Sequence, residues 1–377
     1  MLMNIIKTPL LVVSVFKNIV NDKVVSAYIE FLSNLSYNSD FDVILNSYSK
    51  FISLLYDNAS NQNLYLYVKN LIYKDENIIS KSCCLGVENN SNVISSAEYE
   101  LSLFYNLLKN DYSKVVDDLK TKFPSCSEII NHLPIYNTDD IKEFVLSDII
   151  ASYQNSGYGI FSSYTAFKYN EKKEIIPVPY FNAMTFEQLK NCDYQKDIIK
   201  RNTKAFLDGK EANNILLYGD RGCGKSSTVK ALINEFSDYN LKIIQVYKES
   251  FIYLSDLYEQ IRNLPLKFII FADDISFNED DKNFSSIKAI LEGSLSDKPS
   301  NVIIYATTNR VHLVKESFSS REGNEVHCND TIDETVSLSD RFGIMLTFTL
   351  LTKNEYLDIV QKIAKDYNVE ISDNLLK

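Results

Sequence analysis

Residues 214–236 read NILLYGDRGCGKSSTVKALINEF, and the fold of the chain turns on them. Gly219, Gly222, Gly224, Lys225 and Ser226 stand in the spacing G-x-x-x-x-G-K-S. An apolar run of strand length, Ile215 to Tyr218, precedes the glycines. Val229, Leu232, Ile233 and Phe236 follow at helical spacing, so the glycines sit where a strand turns into a helix. Glycines let successive backbone N–H groups curl around an anion, and a helix N-terminus adds partial positive charge. The spacing therefore predicts a loop that cradles the phosphates of a nucleoside triphosphate. Its binding candidates are Gly219, Asp220, Arg221, Gly222, Cys223, Gly224, Lys225, Ser226 and Ser227. Lys225 is placed to reach the β- and γ-phosphates, and the Ser226 hydroxyl to ligate Mg²⁺. ATP and Mg²⁺ are the expected ligands.

Working outward, the 377 residues suffice for two or three domains with sizeable cores. The net charge of −11 is shared between both halves, so neither is a basic platform. Bulk binding to nucleic acid or to an anionic membrane is disfavoured. Six cysteines show no C-x-x-C spacing, which fits reduced thiols in a cytoplasm. The apolar run at 9–16 is about half a membrane span and reads as a core helix. His312, His327 and Cys328 fit no metal-ligand spacing. Lysines outnumber arginines 33 to 6, and every arginine lies at 201 or beyond.

Residues 1–160 carry apolar positions three and four apart at 27–35, 43–56, 64–73, 97–108 and 141–153, with Asn/Ser/Asp-rich turns between. This is a helical domain with no catalytic constellation. Residues 82–96 read as an exposed loop. The stretch 161–183 holds a charge cluster and prolines at 177 and 179, and reads as a linker. Strands and helices then alternate through 184–351, which predicts a parallel sheet covered on both faces. A helix is expected at about 284–295, a poorly patterned polar stretch at 311–340, and a final amphipathic helix at 353–367.

The strand Phe268–Ala272 ends in Asp273 and Asp274. A buried strand that delivers an acid to its C-terminal end partners a phosphate loop. Asp273 is the candidate for holding Mg²⁺ with Ser226, and Asp274 for polarising water. Asn309 ends the next strand and is a candidate to face the γ-phosphate; a plain turn residue is the alternative. Arg341, in SLSDRFG, is either a partner of Asp340 or a charge delivered to a neighbouring subunit.

Together YGDRGCGKSS, FADDISF, IIYATTNR and SLSDRFG resemble the AAA+ ATPases. More narrowly, the chain is similar to an uncharacterised bacterial AAA+ family, a domain of unknown function, over roughly 157–369 and including the lead-in GYGIFSSYTAF and IPVPY. The resemblance implies an α/β P-loop NTPase fold with a parallel sheet of order 5-1-4-3-2. A helical N-terminal domain precedes it, and a truncated helical lid at 352–377 follows. It implies that 219–226 is Walker A and 268–274 Walker B, with Asn309 a sensor and Arg341 a finger. Two departures stand out. Aspartate replaces the usual Walker B glutamate, and the chain ends within the first lid helices, as a fragment or a minimal lid would.

Three activities compete: an ATPase that remodels or loads a protein partner held by residues 1–160, a slow nucleotide-dependent switch, and a small-molecule kinase. The kinase is disfavoured because such enzymes rarely carry the second acid or the polar sensor. The finger reading carries its own test. An Arg341→Ala protein, inactive alone, should regain hydrolysis when co-assembled with Lys225→Ala subunits, and its failure to do so returns Arg341 to Asp340.

Overall fold

A computed structural model describes residues 7–37, 39–59, 62–190, 192–275, 277–278, 298–309, 314–315, 342–350, 352–367 and 369. The chain divides into two compact units, Met1–Ser163 and Tyr164–Lys377.

The first unit is helical: α1 (Lys7–Leu10), α2 (Lys17–Asn21), α3 (Lys23–Ser36), α4 (Phe41–Asn58), α5 (Leu64–Lys74), α6 (Ile78–Leu85), α7 (Ser91–Leu108), α8 (Tyr112–Lys122), α9 (Ser127–Asn131), α10 (Leu146–Ser156) and α11 (Ile160–Ser163). The Asn- and Asp-rich turns act as caps. Asp22, Asn63, Asn77, Asn90 and Asp111 each accept a backbone N–H at the start of the helix that follows. Inside, the rings of Tyr28, Phe31, Tyr48, Phe51 and Tyr136 pack on one another. Their buried hydroxyls find backbone carbonyls: Tyr28 and Tyr136 both donate to Asn110 O at 2.6 Å, and Tyr48 donates to Pro134 O.

Two sequence expectations fail here. The run 9–16 is not a core helix: α1 stops at Leu10, and Leu11 and Val12 are exposed. The competing interaction comes from Glu100 on α7, which is buried. Its carboxylate accepts the backbone N–H groups of Ser14, Val15 and Phe16 at 2.7, 3.1 and 2.9 Å, and the Ser14 hydroxyl at 3.0 Å. A charged acceptor that satisfies three consecutive donors replaces the helical bonds they would otherwise make and leads the chain into α2. Residues 82–96 are not one loop either. Only 86–90 separates α6 from α7, with Gly86 left-handed at φ 66°. The Asn and Ser residues that read as loop are a cap and an exposed first turn.

The second unit holds β1 (Ala166–Tyr169), β2 (Ile175–Pro177), α12 (Asp193–Leu207), β3 (Ile215–Gly219), α13 (Lys225–Glu235), β4 (Leu241–Val246), α14 (Leu254–Ile261), β5 (Lys267–Ala272), β6 (Phe277–Asn278), β7 (Val302–Thr308), β8 (Val314–Lys315) and β9 (Ile344–Phe348), then a helix at Lys353–Asp366. The main sheet has the order β2-β1-β4-β5-β7-β3-β9, and β6 pairs with β8 apart from it. Taken from β9 to β4, this is the expected 5-1-4-3-2, all parallel. The linker expectation is corrected. Its residues form β1, parallel to β4, and β2, antiparallel to β1, which extend the sheet by two strands. Pro177 is tolerated because β2 is the edge, where a missing N–H breaks no ladder. The expected helix at 284–295 lies outside the described residues, as does 311–340 apart from β8.

Strands β5 and β7 are buried on both faces, as parallel strands under helices must be. Ile215, Leu217, Ile243, Ile269, Phe271, Ile303 and Tyr305 form one core with Ile199 and Phe206 of α12 and Val229, Leu232 and Ile233 of α13. Among the described residues, no helix is long and apolar enough to cross a membrane.

Removing the Glu100 carboxylate leaves three N–H groups without their acceptor. Glu100→Ala should cost about 3 kcal/mol of stability in the helical unit. Urea unfolding of the full chain, followed by far-UV circular dichroism, measures this.

Candidate functional site

Parallel pairing sets the site. Leu217 and Tyr218 of β3 lie beside Thr307 and Thr308 of β7, and Ala272 of β5 lies beside Ala306. The C-terminal ends of the three strands are thus level. Ile269 and Phe271 belong to the core under α12 and α13, as do Ile303 and Tyr305. By the two-residue period of a strand, Asp273, Thr307 and Asn309 continue toward that same face, where the phosphate loop enters α13.

The loop takes its conformation from its glycines. Gly222 and Gly224 have φ of 79° and 88°, and a Cβ on either would meet nothing within 4 Å. Backbone conformation, rather than space, is what requires glycine there. Gly219 differs. At φ 139°, a Cβ would sit 1.8 Å from the Phe348 carbonyl oxygen at the end of β9. The first glycine of the motif thus permits the close approach of β9, and Asp220 N–H donates to that same oxygen at 3.3 Å.

Lys225 opens α13 and is only 7% exposed. Its ammonium donates to Gly219 O at 2.8 Å, Asp220 O at 2.6 Å and Asn309 Oδ1 at 2.9 Å. All three protons are thereby used, and the cation ties the loop to the end of β7. Asn309 Nδ2 in turn donates to Asp274 Oδ1 at 2.5 Å. Asp274 is exposed and left-handed at φ 51°, a conformation that a non-glycine residue holds only where its surroundings impose it.

Asp273 is half-buried. Its Oδ1 accepts the Ser226 hydroxyl at 2.5 Å and the Thr307 hydroxyl at 2.7 Å. Thr307 Oγ1 also accepts the Asp274 N–H at 2.8 Å. A hydroxyl and a carboxylate in contact beside a phosphate loop form a hard oxygen donor set of the kind Mg²⁺ prefers. These residues line a cavity of about 330 Å³, bounded by 221–227, Asp273, Asp274, Thr307 and Asn309.

The structure therefore brings together Arg221, Gly222, Cys223, Gly224, Lys225, Ser226, Ser227, Asp273, Asp274 and Asn309. Gly219 and Asp220 do not line the cavity; they contribute the carbonyls that hold Lys225. Arg341 lies outside the described residues. Beside the loop, the Cys192 thiol lies 4.0 Å from the Cys223 carbonyl oxygen, and burial pushes its pKa up. Sequence reasoning missed Thr307, which is 1% exposed. The available signal was its position two residues before Asn309, on the same face of the strand.

A parallel sheet of order 5-1-4-3-2, with a phosphate loop after the strand second from its edge and acids at the end of β5, defines an AAA+ P-loop NTPase fold. Residues 162–377 match the family described as Protein of unknown function (DUF815), and the chain belongs to that family, here preceded by a helical region. Among solved structures, the chain is similar to a threonine-to-valine variant of RuvB from Thermotoga maritima. Identity is 18%, covering 50% of this chain and 58% of that one, with a TM-score of 0.35. It is also similar to the ORC1 protein of Aeropyrum pernix in complex with DNA, at 16% identity, 48% and 53% coverage and a TM-score of 0.31. A third similarity is to the HORMA:CdnC:Trip13 complex of E. coli MS115-1, at 10% identity, 49% and 70% coverage and a TM-score of 0.35. The chain thus spans just over half the length of the RuvB structure it matches. No curated protein matches it.

Gly219→Ala combines a backbone clash with a disfavoured φ. It should destabilise the second unit by about 3 kcal/mol or more, read by chemical denaturation, whereas Gly222→Ala, which meets no atoms, should cost about 1–2 kcal/mol.

Proposed function

We propose that this chain binds ATP at the loop 219–227 and hydrolyses it slowly. The observation that carries the reading is the continuous set of contacts Lys225–Asn309–Asp274 and Ser226–Asp273 around one cavity at the sheet's C-terminal edge. Lys225 is the cation for the β- and γ-phosphates. To reach them it exchanges its bonds to Gly219 O and Asp220 O, so nucleotide binding opens the loop. Ser226 and Asp273 would hold Mg²⁺, which when bound neutralises charge on the phosphate oxygens. Asp274 is the acceptor for the proton of the attacking water, and Asn309 orients it.

A second reading, an ATP-dependent switch with little turnover, is favoured by one contact. The Asn309 amide already donates to Asp274 Oδ1, so an attacking water must be met by the remaining lone pairs of the carboxylate. An aspartate here also falls ~1 Å short of where a glutamate would reach, a displacement that can cost on the order of a hundredfold in rate.

The helical unit, residues 1–160, is the proposed adaptor for a protein partner, and the proposed compartment is the cytoplasm. Arg341 remains a proposed finger, acting between subunits of a homo-oligomer through a guanidinium fork that lysine cannot reproduce.

Fluorescent-ATP titration with phosphate-release kinetics tests the assignment. Lys225→Ala should abolish binding. Asp274→Asn should bind as the wild type does and release phosphate more slowly still. Wild-type affinity in Lys225→Ala would dismiss the site, and phosphoryl transfer to an added acceptor would restore the kinase reading.

A further inference from the structure

We propose that Thr307 is a positioning residue that fixes both carboxylates of the site, and that it holds Asp273 where that carboxylate can share a metal ion with Ser226. The inference rests on the nucleotide-site reading above.

The argument begins with one hydroxyl group. Thr307 Oγ1 accepts the Asp274 N–H at 2.8 Å, and an N–H can only donate. The hydroxyl's own proton is then directed to Asp273 Oδ1, at 2.7 Å. The Thr307 carbonyl accepts the Ile275 N–H at 2.8 Å, so side chain and backbone of this residue together hold the two positions after Asp273. Thr307 is 1% exposed, so its buried hydroxyl is satisfied by these two partners. Asp274 lies between these two contacts at φ 51°. A left-handed aspartate costs free energy, and the pair of bonds from Thr307 offsets it.

Ser226 explains why the second donor matters. Its hydroxyl donates to the same Asp273 oxygen at 2.5 Å. A hydroxyl has one proton and two lone pairs, so Ser226 could ligate a cation and keep this bond, and Asp273 would then meet the ion from a position set by two donors. Of the two donors, the Thr307 hydroxyl is the one whose direction is fixed, because its oxygen also accepts the Asp274 N–H. The threonine thus sets the position of the Asp273 carboxylate, and the same oxygen atom sets where Asp274 begins.

The test uses the full chain with Thr307→Val, which keeps the shape and removes the hydroxyl, and Thr307→Ser, which keeps the hydroxyl. Binding of a fluorescent, non-hydrolysable ATP analogue is measured with Mg²⁺ and with EDTA. Thr307→Val should lose about tenfold of the affinity that Mg²⁺ adds, with the EDTA value unchanged. Thr307→Ser should restore it. An undiminished Mg²⁺ gain in Thr307→Val, or equal impairment in Thr307→Ser, overturns the proposal. A second measurement needs no nucleotide. Urea unfolding of Thr307→Val is compared in the wild-type and Asp274→Gly backgrounds. Glycine adopts positive φ freely, so the cost of losing the hydroxyl should shrink there. Equal cost in both backgrounds overturns the clamp on Asp274. If the wild type fails to bind the analogue, the nucleotide reading falls, and the unfolding comparison still decides what Thr307 does.

Discussion

Everything at the candidate site depends on the register of three parallel strands. Leu217 sits beside Thr307, and Ala272 beside Ala306, so β3, β7 and β5 end level. A strand has a period of two. A slip of one residue in β7 would turn Thr307 and Asn309 to the opposite face and leave Asp273 facing Ala306 or Thr308. The register is held because both faces of these strands are buried, so a slip would also exchange Ile303 and Tyr305 for Val302 and Ile304 under α12 and α13. Hydrophobic burial thus fixes where the polar groups meet.

The phosphate loop depends on the same sheet from the other side. β9 approaches β3 so closely that Phe348 O occupies the space where a side chain on residue 219 would begin. The loop therefore departs over the end of β9, and the buried Lys225 ammonium gathers its first carbonyls. The cation and the glycine act on the same two residues. One draws them in, and the other lets the neighbouring strand approach.

The helical unit solves a different problem. Its tyrosines supply bulk to the core, and each buried hydroxyl must find an acceptor. The carbonyls of Asn110 and Pro134 serve because irregular segments leave them free of helical bonds. Glu100 works by the same logic with the sign reversed: a buried carboxylate is tolerated because three backbone donors converge on it.

By itself the sequence determined the class of fold. The G-x-x-x-x-G-K-S spacing, the apolar runs of 215–218, 268–272 and 302–306 and the helical periodicity before residue 160 are local patterns, and local patterns survive in one dimension. It also determined Lys225, Ser226, Asp273, Asp274 and Asn309 as a set, because each ends or follows a strand. Only the tertiary structure decided the rest. Thr307 looks like any strand threonine until β5 lies alongside it. Gly219 looks like a phosphate glycine until β9 arrives, and residues 166–177 look like a linker until β4 offers a free edge. Glu100 reads as one more surface acid on a helix until residues 14–16 fold across it. In each case the deciding partner is more than 70 residues away or on another strand, and a pattern read along the chain carries no distance between such positions.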